Sequence, residues 1–306
     1  MNHNWIKWPL LEGFSKSATK ILQKIIGAAS TSPAQAMLAT MVIGLVQVAS
    51  GLVAGKLFRK KLIASGKDIL GAFFYGVLFG TATILTFVIF LLGGQVGVNT
   101  FIITLAIVPG LLIDWFYFDR KIASRQWLGI VVAIIAGYAI LDFPKTAEVA
   151  RFPLWVWLSF IVMLLLAINQ GITQKLKNIN PVILNFWGGL AMTVLSFAGL
   201  VIFGPIDLLA VTRSFWLLSI LTAFIFVLIW IVNLMSYKAG ANIAAKNLLV
   251  SGTYLTSTVF LGIILFGEVI TSGKIVGIIL YPVAFGLIDS ATWKYLKSKY
   301  RNLPNL

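Results

Sequence analysis

The sequence predicts an all-α polytopic membrane protein built from two inverted five-helix repeats, with nine or ten transmembrane helices. Three observations carry this. First, the 306 residues are 59% hydrophobic and only 11% charged, whereas a soluble chain carries about 25% charged residues. Second, apolar stretches of the length that crosses a bilayer recur along the chain. Third, the sequence repeats itself at a shift of 148 positions. Under that shift Pro33 falls on Pro181, Gly51 on Gly199, Asn99 on Asn247, Phe118 on Phe266, Ser124 on Ser272 and Gly129 on Gly277. The alignment needs no gap from residue 33 to residue 141.

Residues 1–32 differ from the rest. Glu12, Lys16, Lys20 and Lys24 are spaced four apart, with Ser15, Thr19 and Gln23 running beside them. That spacing lines them along one helical face. Leu11, Phe14, Ala18, Ile21, Leu22 and Ile25 fill the other. Two placements fit this amphipathic or degenerate first helix. It can lie in the membrane interface, or span as a tenth helix with its lysines in a water-filled cavity. A cleavable signal peptide is not expected, because the lysines interrupt any apolar core it would need.

Nine apolar spans follow, at roughly 34–55, 68–92, 97–118, 126–142, 152–173, 181–204, 214–236, 243–266 and 275–292. They divide into a first repeat over 33–143, a second over 152–292 and a basic tail over 293–306. Each full copy holds five helical units. An odd unit repeated in tandem gives halves of opposite orientation, the arrangement of many secondary transporters.

The net charge is +15. In a soluble protein it would suggest nucleic acid as a partner. Here it reports topology, because Lys and Arg gather in cytoplasmic loops. With the C-terminus inside, the inner loops and tail hold 16 basic residues and the outer loops 4. The expected location is the plasma membrane, multi-pass, with a cytoplasmic C-terminus. There is no cysteine, and the single histidine is His3. Disulfides and thiol chemistry are therefore excluded.

Several motifs recur in order. Ile107-Val108-Pro109 is followed by Phe118-Asp119-Arg120-Lys121-Ile122 and then Gln126-Trp127-Leu128-Gly129-Ile130. The second copy has Phe266-Gly267-Glu268-Val269-Ile270 and then Gly277-Ile278. This order resembles the EamA-like family of the drug/metabolite transporter superfamily, over about residues 33–141 and 181–289. The resemblance implies ten helices, cytoplasmic termini, a central cavity, and proton- or exchange-driven movement of small metabolites, often export. The chain departs from the pattern in having Asp119-Arg120 for Gly-Glu in the first copy, and Ser257 opposite Pro109.

Intramembrane polar residues normally face protein or a cavity. Candidate substrate contacts are Gln47, Asn99, Asn185, Lys246, Asn247 and Tyr254. Asn99 and Asn247 occupy matched positions near helix N-termini, where free N–H groups favour an anion. They serve equally as interhelical hydrogen bonds. Lys246 is either a snorkelling anchor or a cation holding an anionic substrate, and Tyr254 lies two turns on. Asp114 is the candidate proton-coupling carboxylate, or an inner-end acid near Arg120 and Lys121.

The sequence has no HExxH, GxSxG or phosphate-loop pattern. No cofactor or metal and no enzymatic activity is expected. The expected function is a secondary transporter of a small organic metabolite, exporter or exchanger, with the lipid bilayer as its environment. Alternatives are an antiporter of anionic or phosphorylated metabolites resembling the triose-phosphate and nucleotide-sugar branch, or a membrane enzyme acting on lipid-linked substrate. A non-transporting membrane scaffold is a third reading.

Overall fold

The computed structural model describes residues 6–60, 62–118, 122–149, 151–176, 179–203, 211–238 and 243–288. Twelve helices and no strands occur among them. They are α1 (Lys7–Ala29), α2 (Pro33–Leu57), α3 (Gly66–Leu91), α4 (Val96–Thr104), α5 (Ile107–Phe118), α6 (Ser124–Ile140), α7 (Thr146–Val149), α8 (Leu154–Lys175), α9 (Pro181–Phe203), α10 (Arg213–Lys238), α11 (Ile243–Phe266) and α12 (Ser272–Ile288).

Among the described residues six helices are long and apolar enough to cross a membrane, and three shorter apolar ones lie at Ser124–Ile140, Leu154–Asn169 and Ser272–Ile288. They coincide with the nine expected apolar spans. Leu70, Phe116, Ile202 and Ile279 are among many large apolar side chains on the outside. Such a surface suits lipid, not water. The protein is an all-helical polytopic membrane protein.

Local chemistry explains the helix limits. Pro33 and Pro181 open α2 and α9, where a missing N–H costs nothing and the fixed φ helps. Gly93 (φ 82°) follows α3 and Gly267 (φ 64°) follows α11. Both adopt the left-handed conformation that closes a helix. Many hydroxyls within the spans return to their own helix. Thr40 donates to Ala36 O, Thr86 to Ala82 O, Thr222 to Leu218 O and Ser236 to Val232 O. Their polarity is satisfied locally, so most carry no message about a cavity.

One expected span is divided. The apolar run predicts one span over 97–118, but the helix breaks between α4 and α5 at Leu105 and Ala106. Pro109 has no N–H to offer the Leu105 carbonyl. Val108 N bonds that carbonyl instead, at 2.9 Å, in a tighter turn. In the second half Ser257 replaces the proline, and α11 runs unbroken.

Two helix pairs anchor the bundle. The first is α2 against α9, where a Cβ on Gly44 would come 2.8 Å from Gly189 O, and one on Gly189 would meet the Gln47 Cβ at 2.8 Å. Around them α3 and α10 complete a core containing Ile43, Phe87, Met192, Phe226 and Trp230. The second pair is α6 against α12, where a Cβ on Gly277 would come 2.8 Å from Ala136 O. With α4 and α11 it buries Phe101, Ala133, Ile140, Leu255 and Tyr281.

The Gln-Trp-Leu-Gly segment explains itself here. Ala123 N donates to Gln126 Oε1 at 2.9 Å, capping α6, and Gln126 Nε2 donates to Ile288 O at 2.8 Å. One side chain thus caps α6 and ties it to the end of α12. Gln126→Ala should lower stability by about 1–3 kcal/mol, because it strips the partner from the buried Ile288 carbonyl and the cap from α6. Thermal unfolding of purified protein in detergent measures this, and an unchanged melting temperature would remove Gln126 as a tie.

The first helix turns its polar face into the bundle. It packs along α3, α10 and α11. A helix lying in the interface would keep its charged face in water. Instead Glu12 is 1% exposed, while Lys20 and Gln23 are each 5% exposed. Leu11, Phe14 and Ile25 point outward. In lipid the usual amphipathic rule is reversed, because the apolar solvent is outside.

Candidate functional site

The polar face of α1 is the spine of the candidate site. From the first turn upward, Lys16 Nζ pairs with Glu12 Oε1 at 2.8 Å. Ser17 hydrogen-bonds with Ser257 of α11, their hydroxyls 2.6 Å apart, and donates to Tyr254 O at 3.1 Å. Thr258 donates to Ser17 at 3.1 Å. These bonds join α1 to α11.

Higher on the same face, Lys20 Nζ lies 5.5 Å from the centre of the Phe90 ring. One turn further, Lys24 Nζ donates to Gly94 O at 2.6 Å and also lies over Phe90, at 5.5 Å. Gln23, beside them, is buried.

The far end of this face is closed by a carboxylate from the residues that follow α11. Glu268 follows Gly267 at the end of α11. It accepts from Val96 N and, at 2.9 Å, from Gly97 N, the first two residues of α4. A carboxylate on the free N–H groups of a helix start is favourable in hydrogen bonding and in dipole. Lys24 is within electrostatic reach of Glu268. Lys274 Nζ donates to Gln95 Oε1 at 2.9 Å and to Val269 O at 2.7 Å. A narrow crevice at this closure is lined by Gly97, Val98, Glu268 and Lys274.

The Gly-Glu turn thereby acquires a reason. Gly267 supplies the left-handed residue that stops α11, and Glu268 is delivered onto α4. Sequence reasoning singled out the dipeptide but not its partner, which lies 172 residues away.

The predicted site residues are scattered among three contacts. Gln47 and Asn185 belong to the α2–α9 region. Gln47 is fully buried, and neither amide atom has a hydrogen-bond partner among the described residues. Asn185 Nδ2 donates to Pro181 O at 3.0 Å within its own helix. Asn99 belongs to the α4–α8 contact, donating through Nδ2 to Ser159 Oγ at 2.8 Å. That is an interhelical bond, as one of the two readings given above has it, and Asn99 Oδ1 has no hydrogen-bond partner among the described residues. Tyr254 is buried on α11, and its carbonyl accepts from Ser17. The structure therefore does not bring Gln47, Asn99, Asn185 and Tyr254 together. Lys246 and Asn247 fall in the first turn of α11 and Asp114 in α5, and their side chains lie outside the described residues.

Residues missed as individual contacts include Ser17, Ser257, Thr258 and Glu268. The sequence signals were the repeat, which placed Ser257 opposite Pro109, and the Gly-Glu turn that holds Glu268. A groove of about 530 Å³ between α1 and α11 borders this network at Ser257 and is lined also by Phe14, Gly252, Thr253 and Phe260. It opens to the apolar exterior, where Phe14 and Phe260 are exposed. Among the described residues no three His, Cys, Asp or Glu side chains group as a metal site would.

No family model and no curated protein matches this sequence. Solved structures share the fold. One, described only as "Crystal structure of protein", superposes with a TM-score of 0.60 at 13% identity, over 93% of this chain and 98% of that chain. At that identity the likeness is one of fold, carried over nearly the full length of both chains.

Proposed function

We propose that this chain is a secondary transporter of a small organic metabolite, an exporter or exchanger with an EamA-like architecture of two inverted repeats. The observation that carries the reading is the buried polar face of α1 at the seam between the halves. Polar and charged groups inside a membrane bundle are costly, and proteins keep them where solutes or ions pass.

The pattern of helix contacts supports the repeat. Under the 148-residue shift α2 becomes α9, α3 becomes α10, α4 with α5 becomes α11, and α6 becomes α12. The contact of α3 with α9 is matched by α10 with α2, and that of α3 with α8 by α10 with α1. The pairs α2–α9, α4–α11 and α6–α12 each join a helix to its own counterpart. This is the pattern of a pseudo-twofold axis. With α1 as the tenth span, each half has five, so the two halves run in opposite senses. At 23 residues and about 1.5 Å per residue, α1 is long enough to cross.

Alternating access then consists of the halves rocking about this seam. The Glu268 closure holds one end shut, and it must release for that end to open. The basic loops support a cytoplasmic C-terminus in a plasma-membrane protein. With ten spans the N-terminus is cytoplasmic as well.

Purified protein in liposomes should exchange a labelled metabolite from a broad panel across the membrane. Absence of both flux and binding over that panel removes the transport reading. A reporter fused at residue 1 tests the tenth span separately, since an external signal combined with an internal C-terminus would leave nine.

A further inference from the structure

We infer that Lys20 is the anchor of a binding site for a small anion bearing a carboxylate or phosphate group, recognised from α1 at the seam of the bundle. This rests on the transport reading, and it specifies the class of substrate. Three observations carry it.

The first is the isolation of the charge. Lys20 is 5% exposed. Among the described residues its ammonium meets no carboxylate and no hydrogen-bond acceptor, and it lies over the face of Phe90. A buried cation is normally paired. A single aromatic face is a weak substitute for hydration or a counterion.

The second is that its neighbours in the stripe are already engaged. Lys16 has Glu12. Lys24 has the Gly94 carbonyl and the field of Glu268. Only the middle lysine of the three is left to attract an incoming group. Glu12, the one acid on this helix, is bridged to Lys16 rather than to Lys20. The inward face of α1 is therefore net positive, which favours an anion over a cation.

The third is a second open donor. Gln23, almost one turn from Lys20, is also 5% exposed and makes no hydrogen bond among the described residues. An ammonium and a carboxamide N–H at this spacing can hold the two oxygens of one oxyanion. Phe90 beside them offers an apolar wall for the body of an organic anion.

The test uses the full chain, purified in neutral detergent, with thermal unfolding followed at constant ionic strength. Inorganic phosphate and a series of mono- and dicarboxylates are the probes. At least one should raise the melting temperature saturably, since a ligand binding only the folded state stabilises it. Lys20→Met should abolish that response, weakening the anion at least tenfold, while leaving the ligand-free melting temperature equal or higher. Lys20→Arg should retain part of it.

If oxyanions have no effect, or Lys20→Met responds like the wild type, the site is wrong. It is equally wrong if the mutant is destabilised without ligand and no anion dependence exists, because Lys20 would then be a packing residue on Phe90. Should Lys20→Met fail to fold, Gln23→Leu takes its place, and an undiminished anion response overturns the site. A parallel arm in nanodiscs compares neutral lipid with phosphatidylglycerol. Stabilisation by the anionic lipid alone would assign the group to a headgroup and sink the substrate claim. Lys20-dependent anion binding without flux leaves the site standing and removes the transport reading. Flux of neutral or cationic solutes, insensitive to anions, does the reverse.

Discussion

Valine at Gly76 is expected to prevent the protein from reaching its folded state. A Cβ there would overlap the Gly188 carbonyl of α9, and backbone cannot rotate away as a side chain can. The contact lies within the best-packed part of the bundle, where α2, α3, α9 and α10 share a core. Small residues that let helix backbones touch are the main source of association inside a bilayer, where apolar burial against lipid gains little. Separating α3 from α9 loosens this region as a unit. Monodispersity on size exclusion, together with yield in the membrane fraction, reads the outcome. The matched control is Gly286→Ala on α12, where no atom lies within 4 Å of the added methyl. It should be neutral or gain about 0.5–1 kcal/mol from better helix propensity. Folded Gly76→Val protein of normal stability would contradict the close α3–α9 approach.

Glu268→Ala is expected to release the closure between the end of α11 and the start of α4. It removes the acceptor for Val96 N and Gly97 N and the companion charge of Lys24. Hydrogen bonds to a charged group contribute about 1.5–3 kcal/mol each, though the two share one carboxylate and will not add fully. The loss falls on one end of the bundle, so opening of that end should increase more than global unfolding. The chain contains no cysteine, which allows a clean reporter. A single cysteine at Val98, which is 5% exposed and lines the crevice, should resist a membrane-impermeant maleimide in the parent. In the Glu268→Ala background it should react at least tenfold faster. Glu268→Gln keeps an acceptor oxygen and should lie between. Equal labelling in all three would show that Glu268 does not hold this end shut.

Much of the fold was legible in the sequence. Apolar runs report helix positions in a membrane because lipid demands both internal hydrogen bonding and an apolar surface. Hence α6 and α12 start at the matched residues Ser124 and Ser272. The proline at 109 was visible too, but not its outcome. Whether such a proline bends or breaks a helix depends on whether a neighbouring N–H takes up the freed carbonyl, as Val108 does for Leu105.

The site was less legible. Gln47, Asn99 and Tyr254 were singled out for being polar in apolar segments. Polarity alone does not separate a ligand contact from a bond such as Asn99 to Ser159, since both relieve the same desolvation cost. Glu268 sat within a noted turn, yet its role needed the start of α4, which only chain folding brings near.

By itself the sequence determined an all-helical membrane protein, the positions of its apolar helices, and the existence of a two-faced first helix. Only the tertiary structure decided which way that helix faces. A stripe of charges at every fourth residue is the same stripe beside water or inside a bundle. What separates the two is the surroundings of the apolar face, and those belong to α3, α10, α11 and the lipid rather than to residues 7–29.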